Sequence, residues 1–232
     1  MRKLKLGIVG LMVFMSACTL PDQEITVFSI SYFFNDSDEG WTGDFADYPE
    51  GDSVAYELLF KRDTIPGDTT KKGLLVSGNN HSDDLFMFIK KKISGLRPNT
   101  TYFMLFNVKV ASDAQTEAVG IGGAPGENVY LKAGATLLEP KKELETGIYR
   151  VNIDKGNQSE EGADMINIGH VGVSPTTTEF TVITRNNSSS NSFVITTDAS
   201  GEIWLVVGTD SGFEGTTTLY YTQIDVLFNE VN

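Results

Sequence analysis

The chain has 232 residues, in which 31 aspartates and glutamates outnumber 18 lysines and arginines, for a formal net charge of −13. Such an acidic chain disfavours sequence-independent binding to nucleic acid or to anionic lipid, because both need dense positive charge. One cysteine excludes an intrachain disulfide framework, and two histidines argue against a histidine-rich catalytic metal centre. Apolar residues make up 40% of the chain, which is enough for a sizeable core.

The first 17 residues have the pattern of an export signal. Three of the first five residues are basic, residues 6–15 are apolar, and the small residues Ser16 and Ala17 follow. A bilayer-spanning helix needs about 20 apolar residues, so this run is too short to act as a membrane span. Residues 1–17 are therefore predicted to be a removable signal peptide.

The end of this segment, Met15-Ser16-Ala17-Cys18, resembles the lipobox of bacterial lipoproteins, with Met where Leu is more common. The resemblance implies that Cys18 becomes an acylated N-terminus, followed by a polar tether to residue 24. Two or three acyl chains anchor a protein stably, whereas one does so only marginally. Thr19 after the cysteine implies sorting to the outer membrane, so we expect a lipid-anchored protein of the cell envelope. An ordinary secretory signal is the alternative.

From residue 25 onward, short runs rich in Val, Ile, Phe, Tyr and Thr alternate with clusters of turn residues. This pattern predicts an all-β protein, an antiparallel β-sandwich forming one domain over residues 25–232. The nearest helical candidate, residues 135–146, is interrupted by Pro140. The predicted strands are 25–34, 54–60, 73–77, 84–93, 101–111, 127–132, 147–153, 164–173, 178–185, 192–197, 202–208 and 217–228.

Two short motifs refine the fold class. Residues 96–102 (LRPNTTY) resemble the L-x-P-x-T-x-Y start of a strand in fibronectin type III domains and in galactose-binding-like jelly rolls. The resemblance implies that the Tyr102 hydroxyl bonds back to the preceding loop. Residues 217–226 resemble the closing strand of carbohydrate-binding-module jelly rolls, with Asp225 between two apolar residues. Together they imply a jelly-roll, galactose-binding-like sandwich.

Three aromatic residues in predicted loops are candidates for ligand binding: Trp41, Tyr48 and Phe213. A flat aromatic ring can pack against the apolar face of a pyranose, which makes a carbohydrate ligand the leading hypothesis. Packing inside the sandwich is the alternative role for each of the three.

A structural Ca²⁺ ion is a second hypothesis. Residues 35–52 carry seven carboxylates, and calcium takes about six to eight oxygen ligands. Asp36, Asp38 and Asp47 are candidate ligands, although their spacing does not match an EF-hand. The jelly-roll resemblance implies another calcium position at Asp225. A solvated acidic loop and an exposed strand face are the alternatives.

These features favour a non-catalytic envelope lipoprotein with a carbohydrate ligand. The alternative is a structural or protein-interaction accessory lipoprotein of an envelope or surface complex. A hydrolase using Asp210 and Glu214 as paired carboxylates is a lesser alternative. It has no nucleophile elbow, HExxH motif or phosphate loop to support it.

Replacing the predicted acylation site tests the anchor. We expect Cys18→Ala to move the protein from the detergent phase to the aqueous phase in Triton X-114 partitioning after expression in a bacterial host, because the variant has no thiol to acylate. Thr19→Ala is the matched control and should stay in the detergent phase. An unmodified Cys18 in an uncleaved wild-type chain, found by mass spectrometry, would contradict the prediction.

Overall fold

A computed structural model describes residues 26–82 and 84–231. The predicted signal peptide, Cys18 and the tether therefore lie outside the described residues. The described part of the chain contains no α-helix and no helix long and apolar enough to cross a membrane. Its strands are β1 (Val27–Phe33), β2 (Thr42–Ala46), β3 (Tyr48–Pro49), β4 (Leu59–Ile65), β5 (Asp68–Asn79), β6 (Leu85–Ile93), β7 (Thr101–Ser112), β8 (Val129–Thr136), β9 (Lys142–Glu145), β10 (Ile148–Val151), β11 (Met165–His170), β12 (Thr181–Asn186), β13 (Phe193–Thr196), β14 (Ile203–Ser211) and β15 (Thr216–Val231).

The larger sheet has seven strands and is organised around β15. On one side, β15 pairs with β7 along most of its length, and β12 and β13 pair with the other edge of β7. On its other side, the N-terminal part of β15 pairs with β5, which also pairs with β4, and the C-terminal part pairs with β1. All of these pairings are antiparallel, so each strand alternates its side chains between the two faces.

The smaller sheet has five strands in the order β11-β8-β14-β6-β2 and packs face to face against the larger one. Met104 and Phe106 of β7 and Phe228 of β15 belong to the same buried cluster as Met87 and Ile89 of β6. Apolar side chains from both inner faces therefore form one core. The predicted antiparallel β-sandwich is confirmed.

A three-stranded sheet, in the order β3-β10-β9, lies close to the smaller sheet. Phe86 and Phe88 of β6 pack with Ile153, Met165 and other residues in a second apolar cluster. The first five residues of β6 (85–89) are therefore buried on both faces, which explains why they are all apolar, whereas residues 90–92 are lysines.

Residues 35–52, expected to be a loop, contain β2 and β3. β2 contains Gly43 and Asp44, and because Gly and Asp are uncommon in strands the sequence did not indicate a strand here. Phe45 and Ala46 are nevertheless buried, and pairing with β6 sets the conformation of β2. The strand expected over residues 54–60 begins only at Leu59.

The predicted tyrosine corner is present. The backbone N–H of Arg97 donates a hydrogen bond to the Tyr102 hydroxyl at 3.1 Å. The Tyr102 ring is buried edge-on against Phe28 and Phe228. The ring thus contributes to the core while its hydroxyl fixes the turn that leads into β7.

Removing this hydroxyl should destabilise the fold. We expect Tyr102→Phe to lower the free energy of unfolding by about 1 kcal/mol, because the Arg97 N–H loses its acceptor while the ring still packs. Urea denaturation would measure the change. Tyr130→Phe is the matched control, since the structure gives the Tyr130 hydroxyl no hydrogen bond to any described residue. Equal stability of the two variants would contradict the prediction.

Candidate functional site

The aromatic residues predicted to bind a ligand lie mainly inside the protein. Trp41 is 1% exposed and Tyr48 is 2% exposed, and the Trp41 ring meets the edges of Tyr32 and Phe34. Phe213 is half-buried against the main core. Trp41 and Tyr48 have no free ring face for a sugar, so the structure contradicts their predicted role and favours the packing alternative.

The predicted calcium ligands of residues 35–52 are not brought together. Asp36 and Asp38 lie in an exposed turn, where Asp38 accepts a hydrogen bond from the Gly40 N–H at 2.9 Å. Asp47 is 4% exposed and belongs to a different cluster, with Asp84. The predicted site made of Asp36, Asp38 and Asp47 is therefore wrong for this structure.

Asp225 does not fit the calcium position that the jelly-roll resemblance implied. Its carboxylate accepts hydrogen bonds from the side-chain amides of Asn107 at 2.9 Å and Gln223 at 2.8 Å. These N–H groups occupy directions in which a calcium ion would need oxygen ligands. Burial raises the pKa of Asp225, but hydrogen bonds from Gln223, Ser31 and Asn107 outweigh burial and lower it. Asp225 instead belongs to a polar surface.

That surface is the outer face of the larger sheet, which consists of the side chains of β1, β15 and β7 that point away from the core. Ser31, Asp225 and Asn107 lie side by side in one row, and Gln223 and Lys109 lie in the next. The Lys109 Nζ donates to Gln223 Oε1 at 2.9 Å, which extends the hydrogen-bond network from Asp225. The side chains of these two rows are therefore held in place before any ligand arrives.

An apolar groove adjoins the polar rows on the same face. Phe103, Leu105 and Leu227 line it together with Ser189 and Ser192 from the β12–β13 connection. Its volume is about 260 Å³. The outer face thus presents hydrogen-bonding groups and an apolar depression next to each other.

Two exposed phenyl rings lie at opposite ends of this face. Phe33 is 55% exposed and lies beside Gln223, whereas Phe103 is 39% exposed and lies three rows away across β15. Three rows correspond to roughly 20 Å along the strands, and two strand spacings to about 10 Å across them, so the Cα atoms of Phe33 and Phe103 are about 22 Å apart. Such a span suits an elongated ligand.

Sequence analysis missed Phe33 and Phe103 because they lie within predicted strands. One signal could have found Phe103. In the alternating strand 101–110, it has the same phase as the polar residues Asn107 and Lys109. An aromatic residue at a solvent-facing position of a strand favours a surface that binds another molecule.

A second polar feature is buried beside the smaller sheet. Asp47, Asp84 and Asp210 have carboxylate oxygens within 4.8 Å of one another. The Lys155 Nζ lies 2.6 Å from Asp210, 3.2 Å from Asp47 and 3.8 Å from Asp84. This ammonium group occupies the position among the carboxylates that a metal ion would need.

Two further cations balance the three carboxylates. The Arg150 Nη1 donates to Asp47 at 2.9 Å and to Asp84 at 3.1 Å, and the Lys132 Nζ lies 3.6 Å from Asp210. Three negative and three positive side chains make the cluster formally neutral, which a buried set of charges requires. Since Asp210 is fully buried within it and ion-paired with Lys155, the structure does not support Asp210 as a hydrolytic carboxylate paired with Glu214.

Burial and the nearby Asp47 charge raise the pKa of Asp84 to about 7. Burial lowers the pKa of Lys155, but the three surrounding carboxylates outweigh burial and raise it. At neutral pH, Lys155 is therefore an ammonium ion, and a substantial fraction of Asp84 is protonated.

The raised pKa of Asp84 should appear in the pH dependence of stability. Between about pH 4 and 7 the folded protein binds more protons at Asp84 than the unfolded chain does, so stability should fall as the pH rises. We expect the melting temperature of Asp84→Asn to fall less steeply between about pH 4 and 7 than that of the wild-type protein. Asp38→Asn, in the exposed turn, is the control. An unchanged slope in Asp84→Asn would contradict the assignment.

No protein-family model matches the chain, and no curated protein matches it in sequence. Three solved structures illustrate its similarities in fold. The enzymatically active domain of tailspike protein 4 from bacteriophage CBA120 is 9% identical, with a TM-score of 0.35, and the match covers 79% of this chain and 19% of that one. A candidate sugar-binding protein from Bacteroides thetaiotaomicron is 8% identical, with a TM-score of 0.39, and the match covers 78% of this chain and 86% of that one. A carbohydrate-binding module specific for non-crystalline cellulose is 10% identical, with a TM-score of 0.33, and the match covers 82% of this chain and 89% of that one.

The chain therefore spans about a fifth of the tailspike domain but most of the two sugar-binding proteins.

Proposed function

We propose that this chain is a lipoprotein of the cell envelope whose β-sandwich binds a glycan on the outer face of the larger sheet. The observation that carries the proposal is the pair of exposed rings, Phe33 and Phe103, at either end of a hydrogen-bonded polar surface. The lipobox supports the envelope location.

The chemistry of the face suits a polyhydroxylated ligand. Phenyl rings can pack on the apolar faces of sugar rings, and the amide, carboxylate and ammonium groups between them can bond to hydroxyl groups. Asn107, Asp225, Gln223 and Lys109 already hold one another in place. Little side-chain entropy is then lost on binding, which favours affinity.

The strand backbone supports the same assignment. Phe33 and Phe103 project from paired strands of one sheet, and β15 lies between those strands. Their separation is therefore fixed by hydrogen-bonded backbone instead of by loops. A rigid arrangement of this kind would select ligands by length and by the spacing of their sugar rings.

A protein partner within an envelope complex is the second candidate for the same face. Val27, Phe103 and Val194 are 55%, 39% and 48% exposed and lie in one row across β1, β7 and β13. Asn229 of β15 lies between Val27 and Phe103 in this row, and exposed apolar side chains grouped in this way favour protein contacts. An accessory lipoprotein of that kind should co-purify with its partner after mild detergent extraction.

Affinity electrophoresis tests the glycan proposal. We expect the protein to be retarded in native gels that contain at least one of four polysaccharides: laminarin, mannan, xylan or hydroxyethylcellulose. Phe33→Ala and Phe103→Ala should each weaken the retardation by about tenfold in affinity, or about 1.4 kcal/mol, and the double variant should abolish it.

Leu144→Ala is the control, because Leu144 is an exposed apolar residue on the three-stranded sheet. Circular dichroism should show that all variants are folded. Migration unaffected by all four polysaccharides, or an equal loss of binding in Leu144→Ala, would contradict the proposed site.

A further inference from the structure

Lys155 and Asp210 form an unusually enclosed pair of reactive groups. Lys155 Nζ lies 2.6 Å from Asp210 Oδ2, and the two side chains are 8% and 0% exposed. The Phe86 ring centroid is 5.4 Å from the same nitrogen. An amine and a carboxyl group are thus held in contact with little of either side chain exposed.

We infer that Lys155 and Asp210 become joined by an intramolecular isopeptide bond between Nζ and Cγ, with the loss of one water molecule. Groups held in contact by a folded protein react as if at very high concentration, because no translational entropy remains to be lost. The reaction is a condensation, so it needs no oxidant, reductant or other co-reactant.

The structure distinguishes Lys155 from the other lysine near Asp210. The Lys132 Nζ lies 3.6 Å from Asp210 Oδ2, but it donates hydrogen bonds to the backbone oxygens of Lys155 and Glu160 at 2.5 and 2.7 Å. These bonds hold two of its three ammonium protons on the backbone and keep Lys132 farther from the carboxylate than Lys155. Lys155 is therefore the nucleophile.

The two other carboxyl groups of the cluster provide the proton transfers. Asp47 Oδ2, 3.2 Å from the Lys155 Nζ, accepts no hydrogen bond within the described residues and can take the first ammonium proton. Asp84 has a carboxylate oxygen within 4.8 Å of one of Asp210 and is partly protonated at neutral pH, so it can give its proton to the Asp210 carboxylate and make that carboxyl group electrophilic.

Amide formation releases one water and regenerates both helper carboxyl groups. The neutral Nζ attacks Cγ of Asp210 and passes its second proton to the Asp84 carboxylate. The C–O bond breaks, and the departing hydroxyl leaves as water with the proton held by Asp47. The products are one amide, one water, ionised Asp47 and protonated Asp84, so both helper groups return to their initial states.

Hydrogen bonding within the site favours one oxygen as the leaving group. Asp210 Oδ1 is buried and accepts no hydrogen bond within the described residues, whereas Oδ2 accepts one from the Gln158 backbone N–H at 2.8 Å. Loss of Oδ1 removes an unsatisfied buried oxygen, and Oδ2 remains as a hydrogen-bonded amide oxygen. The reaction also replaces a buried ion pair, which is costly to desolvate, with a neutral group.

Intact-mass spectrometry of the denatured full chain tests the inference. We expect the wild-type chain to be lighter by the mass of one water than its sequence and its N-terminal processing require, and Lys155→Arg, processed in the same way, to show no such deficit. Arginine keeps the positive charge, but its guanidinium group stays protonated and cannot attack the Asp210 carboxyl group. Lys90→Arg is the matched control, because Lys90 is another buried lysine in a carboxylate pair, with Glu139, and its substitution should leave the mass deficit in place.

Fragment-ion sequencing of a tryptic digest should then locate the branch between residues 151–185 and 186–232. A wild-type chain without this mass deficit would overturn the inference, even if Lys155→Arg failed to fold. A water loss that persists in Lys155→Arg would also overturn it, because dehydration elsewhere would then be the cause. Neither outcome depends on whether the outer face binds glycans.

Discussion

The register of β15 is the constraint on which the rest of the structure depends. This strand of sixteen residues pairs with β7 on one side and with β5 and β1 on the other. Because its side chains alternate between faces, the same register sends Val226 and Phe228 into the core and Gln223 and Asp225 to the outer face. A slip of one residue would bury the polar groups and expose the apolar ones. Folding energy and the geometry of the candidate binding face therefore come from a single alignment.

The buried charges near the smaller sheet obey a different constraint, which is neutrality. Asp210 on β14 and Asp47 after β2 would each be costly to bury alone, and Lys155 compensates both. Lys155 belongs to the connection between β10 and β11, so the charge pairs attach that connection to the sheet. The cluster thus adds to the apolar contact that Ile153 of the same connection makes with Phe86 and Phe88.

Local patterns were sufficient to predict the class of fold. Short runs rich in Val, Ile, Phe, Tyr and Thr between turn residues predicted the strands, and the residues before Tyr102 predicted a hydrogen-bonded corner, because both features depend on neighbours within a few positions. The candidate sites depend on contacts between residues that are far apart in the sequence. Asp47, Asp84, Lys155 and Asp210 come from four separate segments, and only the pairing of the strands brings them together. Trp41 lies in a loop, as predicted, but its ring is buried against Tyr32 and Phe34, which the local sequence did not indicate.

The place of β1 in the larger sheet has a mechanical consequence for a chain held by its N-terminus. β1 runs antiparallel to β15, and seven residues of it are paired with that strand. Tension applied before Val27 and directed along the strand would pull β1 lengthwise past its neighbour. The interstrand hydrogen bonds lie across that direction, so they would share the load as a group under shear instead of opening one after another. An anchored sandwich loaded in this way would resist drag on a captured polymer.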